Sequence, residues 1–548
     1  MRNLKVVFNR CRLLGPGAGP GLGRRVALAF ALSGMLLVAS GCTEDESSAT
    51  AAATGSSTAS AGGAGQGGSG GDPSGTGGEG SSGGGGEGVG GAGQGGGAAL
   101  ELYELESAIT PGKSAINYAG QSLRHVLIED MKTYLGGLTK AIDANQYSPP
   151  SVAFTVSALE YYYAFDDQTS GLDAHGIKTK PAPLQAHYAA IATGKNLKAK
   201  MAGNDPATDY QDWKTQFVGW QDASIAADGG GLGSPEALLQ AFFHRVGKLA
   251  LDRANGTIPV VPGTQTPLAS VYVTGNGLDL QQLIQKLLLM GVSYSQGTDD
   301  YLDDDVMGSG LLAPNTPDAD KPYTVLGHGW DEAFGYFGAA RDYAFYTDDE
   351  LAKLGGRPDW QGSHDTNGDS AIDLTAELNF GASATAAKRD LGSVDATDFT
   401  GDAFAALLAG RKLIQGAGAA LTAPELMSLK AHRDQAVLAW EKAIAATCVH
   451  YLNEASAMTQ AIGTMSYDFY AHAKAWSELK GFALGLQFNP RKKLTNANFA
   501  KLHTLLRDAP VLATATLSER QAYLGDLATA RGLLQGAYGF SQANVEAW

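Results

Sequence analysis

Cysteine is scarce in this chain of 548 residues, which holds only Cys11, Cys42 and Cys448. The first two fall in or at the end of an export signal, so Cys448 is left alone and an intrachain disulfide framework is excluded. Cys448 sits in the apolar run Ala445-Ala446-Thr447-Cys448-Val449, the setting of a small buried residue rather than a nucleophile. Basic residues are also few, 40 Lys and Arg against 56 Asp and Glu, for a formal net charge of −16. That balance excludes nucleic acid or an anionic membrane face as partner and is compatible with cations. Strand signal is nearly absent, Val271-Tyr272-Val273 being a short β-branched run expected to pair. There is no His-Glu-x-x-His, no Gly-x-Ser-x-Gly elbow ahead of a helix and no phosphate-loop signature. Zincin proteolysis, serine-hydrolase chemistry of the elbow type and P-loop nucleotide binding go with them.

Glycine, by contrast, is abundant, with 73 residues, many of them near the start. Arg24 and Arg25 precede an apolar run from Val26 to Val38, too short to span a bilayer permanently, which ends in Ala39-Ser40-Gly41-Cys42. Residues 1–41 therefore read as a signal peptide, and the small residues before Cys42 resemble a lipobox in which Cys42 becomes the lipidated first residue. Residues 42–100 follow as a Gly/Ser-rich tract without apolar periodicity. Such a tract cannot offset its ordering entropy, and as a coil it reaches on the order of 40 Å. Its Gly-x-Gly-x-x-Gly matches have no strand before them and no helix after. The expectation is an exported protein held to the cell envelope, outer membrane or cell surface by a lipid anchor alone.

Residues 101–548 carry helical periodicity throughout, which predicts an all-α fold of helices joined by loops. Apolar residues at three- and four-residue steps mark Ser122–Ile142, with further helices over Val152–Phe165, Leu184–Lys200, Tyr210–Ala223 and Leu278–Tyr294. Ser234-Pro235-Glu236 launches another. Thr347-Asp348-Asp349-Glu350 and Thr422-Ala423-Pro424-Glu425 are capping boxes. Ser466–Leu486, Ala497–Arg507 and Ser518–Leu534 complete the set. The length exceeds what one hydrophobic core usually serves, so two sub-bundles are expected, with a boundary near 255–277. The acidic segment Asp299, Asp300, Asp303, Asp304, Asp305 reads as a solvated loop, with cation binding as the sharper alternative. Tyr161-Tyr162-Tyr163 reads as packing.

Two constellations could carry chemistry. In Gly327-His328-Gly329-Trp330-Asp331-Glu332-Ala333-Phe334-Gly335-Tyr336, read as helix, His328 has Asp331 and Glu332 at i+3 and i+4. An imidazole and carboxylates on one face can bind a metal, iron or another transition metal, if other helices add ligands. His450 with Glu454 and His472 with Glu478 are the candidates for that support. The bland alternative is that these are buried polar contacts fixing helix register. The second constellation runs from Asp365. Asp365, Asn367, Asp369 and Asp373 occupy loop positions one, three, five and nine, with the Ala371 carbonyl between, the oxygen spacing of a calcium loop. Ser370 replaces the usual turn glycine, and Glu377 stands one residue past the closing position. An Asx-rich turn is the alternative.

Tyr118-Ala119-Gly120-Gln121-Ser122, the block from His328 to Tyr336, and Trp476-Ser477-Glu478-Leu479-Lys480-Gly481-Phe482 occur in this order. Together they resemble a domain-of-unknown-function family of exported bacterial lipoproteins that looks related to the imelysin-like proteins. The resemblance covers most of residues 101–548. It implies an imelysin-like helical bundle, two bundle-like halves, a calcium-type loop insertion at Asp365–Phe380, and a link to bacterial iron acquisition. The imelysin Gly-x-His-x-x-Glu motif would fall on His328 with Asp331 or Glu332. The expected function is capture of a metal or metal-bearing ligand, with no catalytic residue assigned. A structural lipoprotein is one alternative. A metal-dependent hydrolase using Glu332 as general base is the other.

Overall fold

Capping residues set where the helices begin. Ser234 Oγ accepts from the Ala237 amide at 3.0 Å just ahead of Pro235, and Thr422 and Thr347 form reciprocal capping boxes with Glu425 and Glu350. The computed structural model describes residues 100–170, 176–206 and 208–548. The expected signal peptide, Cys42 and nearly all of the tether lie outside the described residues.

Fifteen α-helices occur among the described residues, which contain no sheet, so the fold is all-α. In chain order they are α1 (Ala119–Asp143), α2 (Val152–Tyr163), α3 (Tyr188–Ile191), α4 (Trp213–Gln216), α5 (Pro235–Ala254), α6 (Leu280–Leu288) and α7 (Val325–Phe337). Then come α8 (Asp348–Ala352), α9 (Gly381–Leu391), α10 (Phe399–Gly416), α11 (Ala423–Ala461), α12 (Phe469–Gly485), α13 (Asn496–Leu506), α14 (Leu517–Tyr538) and α15 (Gln542–Ala547). The long α11 packs against α9, α10, α12 and α14, and its Trp440, Ala443 and Ile444 are buried in the main core. α5 and α6, on either side of 255–277, pack on each other and both on α1. All described residues fall within one compact unit, Gly93–Trp548. No described helix is long and apolar enough to cross a membrane.

Several expected helices are shorter than their periodicity. Leu184–Lys200 keeps only α3 and a 3₁₀ turn at Lys198–Lys200, because Gly194 turns the chain at φ +65°. Tyr210–Ala223 reduces to α4, since Asp212 caps a new start and Gly219 leaves the helical region at φ +110°. Val271-Tyr272-Val273 makes an isolated bridge from Val273 to Asp279 and no strand. Tyr162, Tyr163 and Cys448 are buried, as their apolar settings predict.

The segment after α6 positions the site. The chain continues from α6 as two π-helical stretches, Leu289–Tyr294 and Gln296–Asp300, and the Tyr301 amide donates back five residues to the Gln296 carbonyl at 3.1 Å. Gly291 and Gly297 let neighbours approach: a β-carbon on Gly291 would meet the Met201 sulfur at 2.8 Å, and one on Gly297 the Trp440 ring at 2.9 Å. α7 lies directly against this segment and also packs on α1 and α10.

Candidate functional site

α7 starts where Thr324 Oγ1 accepts from the Gly327 amide at 3.0 Å and stops at Gly338, φ +87°. Trp330, Phe334 and Phe337 are buried, as the helical reading requires. The polar residues divide between two sides. His328 is partly exposed and stacks on Tyr323, ring centroids 4.3 Å apart, and its Nε2 lies 3.9 Å from Glu332 Oε1. Glu332 Oε1 in turn accepts from Gln121 Nε2 of α1 at 2.9 Å. Asp331 is fully buried, and its Oδ1 accepts from Arg411 Nε of α10 at 2.7 Å and from the Tyr103 hydroxyl at 3.1 Å. The structure thus brings His328 and Glu332 together and commits Asp331 to Arg411. Burial raises the Asp331 carboxyl to about 6 against the opposing pull of Arg411.

The expected supporting residues find partners off α7. His450 Nε2 lies 3.3 Å from Glu454 Oε1 at a partly exposed position. His472 is buried, contacts Thr459 Oγ1 at 3.2 Å, and burial lowers it to about 4, so the ring is neutral. Glu478 is buried against Lys286, 3.1 Å away.

In the loop at Asp365 the acids hold backbone. Asp365 Oδ1 accepts from the Gly368 and Asp369 amides at 2.7 and 3.2 Å, and its Oδ2 accepts from Ser370 at 2.8 Å. Ser370, which replaces the usual glycine, takes the left-handed conformation at φ +69°. Asn367 Oδ1 and Asp369 Oδ1 accept from the Asp369 and Ala371 amides, each at 2.9 Å. Asp373 Oδ1 accepts from Gln185 and Thr375. Glu377 does reach across the loop, its Oε1 accepting from the Thr366 amide and its Oε2 from the Asp373 amide, each at 2.8 Å. The result has the contacts of an Asx-rich turn closed by one glutamate.

The gathering of metal-ligand side chains lies elsewhere. Among the described residues, Asp209, Asp299 and Asp300 form a group of three whose ligand oxygens lie within 4.8 Å of one another. Asp299 and Asp300 end the second π-helical stretch, and Asp209 comes from the loop before α4. The Tyr210 amide donates to Asp299 Oδ2 at 3.0 Å, and the Gly203 amide to Asp209 Oδ2 at 2.9 Å. Arg491 holds the π-helical end by donating to the Thr298 carbonyl and pairing with Asp303. Asp299 has 0% exposure and Asp300 7%. Asp299 Oδ1, Asp209 Oδ1 and both Asp300 oxygens are buried without a well-formed hydrogen bond, although the Thr208 hydroxyl is close enough to favour Asp300 in its charged form.

Burial, and the neighbouring carboxylates after it, push Asp299 up to about 9. Burial is likewise the leading cause that lifts Asp300 to about 7 and Asp209 to about 6. Two full charges 4.8 Å apart repel by about 3 kcal/mol at an effective dielectric of about 20, so three ionised acids here need a counter-ion. Oxygen-only ligands suit a hard cation of the calcium, magnesium or manganese kind rather than a thiophilic metal.

This corrects the reading of the acidic segment as a solvated loop: Asp299, Asp300 and Asp303 are buried, and Asp304 pairs with Lys430 and Arg433. Asp209 carries no local signal, and Tyr210, within the expected helix Tyr210–Ala223, lies in the loop before α4. The available clue is a doubled aspartate, Asp299-Asp300, a helical turn beyond the apolar run Leu278–Tyr294.

Fold and site together define an all-α protein with a triad of carboxylates, two of them buried, beside an aromatic-rich helix. Residues 109–351 match the family model of a domain of unknown function, DUF4856, a stretch that includes α1, α7 and all three aspartates. No curated protein and no solved structure matches the chain.

Proposed function

We propose that this is an exported, lipid-tethered binding protein that captures a hard divalent cation through Asp209, Asp299 and Asp300. The observation that carries the reading is the convergence of three carboxylates, two of them buried, with oxygens that lack hydrogen-bond partners. A buried charge without a partner is costly, and an arriving cation removes that cost for all three acids at once. The lipobox at Cys42 and the Gly/Ser-rich tether would present the domain outside the inner membrane. Kinship with imelysin-like proteins would agree with metal capture, with the ligands moved from His328 to the neighbouring π-helical segment. Asp331 then serves the α7–α10 contact through Arg411.

The test is calorimetric titration of the metal-free full chain in detergent with manganese and with calcium, beside the variants Asp299→Asn and Asp300→Asn. One cation per wild-type chain, weakened at least tenfold in either variant, supports the site. Equal binding by wild type and both variants, or none by wild type, rejects it. A second reading, calcium within Asp365–Glu377, draws on Glu377 closing the loop at Thr366 and Asp373. An unchanged melting temperature of Asp365→Ala relative to wild type in excess calcium would remove it.

A further inference from the structure

We infer that Asp205 is a fourth carboxylate of the cation site, held off it by Lys200 until a cation arrives. This rests on the triad reading above, and the fully buried Asp299, whose Oδ1 has no hydrogen-bond partner, is what marks that triad as a place for a ligand.

Asp205 belongs to the same short loop as Asp209, and Gly203, at φ +92°, ties that loop to the triad by donating its amide to Asp209 Oδ2. Asp205 does not belong to the group whose oxygens lie within 4.8 Å of one another. Its Oδ2 instead accepts from Lys200 Nζ at 2.5 Å, and both side chains are partly exposed. The Lys200 ammonium also stands 5.6 Å over the ring of Tyr301, the residue that follows Asp300. The charges of Lys200 and Asp205 both act on Asp209 and on Asp300, with opposite signs, which places the pair beside the triad.

A hard cation of calcium type takes six to eight oxygens, and three carboxylates supply no more than six even if all bind through both oxygens. A cation seated in the triad repels the Lys200 ammonium and attracts Asp205. The ion pair then opens: Lys200 moves toward solvent, to which 22% of its side chain is already exposed, and Asp205 turns inward as a ligand. Lys200 is therefore an internal stand-in that competes with the cation for Asp205.

The test measures manganese and calcium affinity of the metal-free full chain for wild type, Lys200→Gln, Asp205→Asn and the double variant. Removing Lys200 should tighten binding by about tenfold, the scale of one partly exposed charge, and Asp205→Asn should weaken it by a similar factor. In the double variant the gain from Lys200→Gln should vanish, because the lysine has nothing left to withhold. A gain that persists in the Asp205→Asn background means that Lys200 acts by general repulsion and overturns the inference. So does an Asp205→Asn affinity equal to wild type. Both results would leave the triad standing, whereas a wild type that binds neither cation removes triad and inference together.

Discussion

Replacing Arg411 by methionine tests whether the central motif residue Asp331 is structural. The side chains of Arg411 and Asp331 are 2% and 0% exposed, joined at 2.7 Å from Nε to Oδ1. At that distance the gross attraction is about 6 kcal/mol at an effective dielectric of about 20. Part of this is offset because methionine has no charge to desolvate and keeps most of the arginine stem's packing. What remains is a buried carboxylate with only the Tyr103 hydroxyl as donor to Oδ1. Loss of one partner of such a pair costs about 3–5 kcal/mol. The cost should depend on pH in a definite direction. The folded Asp331 carboxyl already lies above its ordinary value, at about 6, because burial outweighs Arg411, and removing Arg411 raises it further. A group raised in the folded state contributes its stability below its ordinary pKa and loses it as pH climbs through the folded value. The gap between wild type and Arg411→Met should therefore widen from pH 5 to pH 8. Urea unfolding followed by tryptophan fluorescence at both pH values measures it, Trp330 lying one residue from Asp331. A gap under 1 kcal/mol at pH 8, or one that is the same at both pH values, would refute the structural assignment and return Asp331 to the ligand candidates. The double replacement Asp331→Leu with Arg411→Met should recover much of the loss, since no unpaired charge is left behind.

Replacing His328 by alanine should cost no more than about 1 kcal/mol, because the ring is partly exposed and stacks only on Tyr323, and cation content should not change. In the cation-free protein the thermal midpoint should fall as pH rises from 5 to 9, since Asp209, Asp300 and Asp299 are all raised and ionise in turn across that range. Adding manganese should flatten that profile, and a cation-free profile that is already flat would contradict the burial argument. Cys448 is buried and its thiol is raised by burial, so native protein should resist maleimide labelling that proceeds fully in urea. Rapid labelling of the native protein would show that α11 is less well packed than described.

Legibility followed the range of the interactions. α1, α5, α11 and α14 were readable because their apolar spacing is local, and so are the caps of α5 and α11: Ser234 and Thr422 each bond an amide three residues on. Leu184–Lys200 and Tyr210–Ala223 misled because their apolar spacing runs across Gly194 and Gly219, which leave the helical region at positive φ. The His328 motif was visible as a pattern, yet spacing put Asp331 and Glu332 on one face when Arg411 and Gln121 draw them to different partners. The triad was hidden because Asp209 and Asp299 are 90 residues apart in number, and the bond from the Tyr210 amide to Asp299 exists only after folding.

The amino-acid order by itself determined the helical class, most of the helix starts, and the burial of Trp330, Phe334 and Cys448. These depend on periodicity and caps, which act within a few residues. Which acids are buried, which meet an arginine and which are left facing one another was decided by the tertiary structure alone. The free energy of a carboxylate depends on the dielectric and the charges a few ångströms away, and those are supplied by α7, α10 and the loop before α4, segments far apart along the chain.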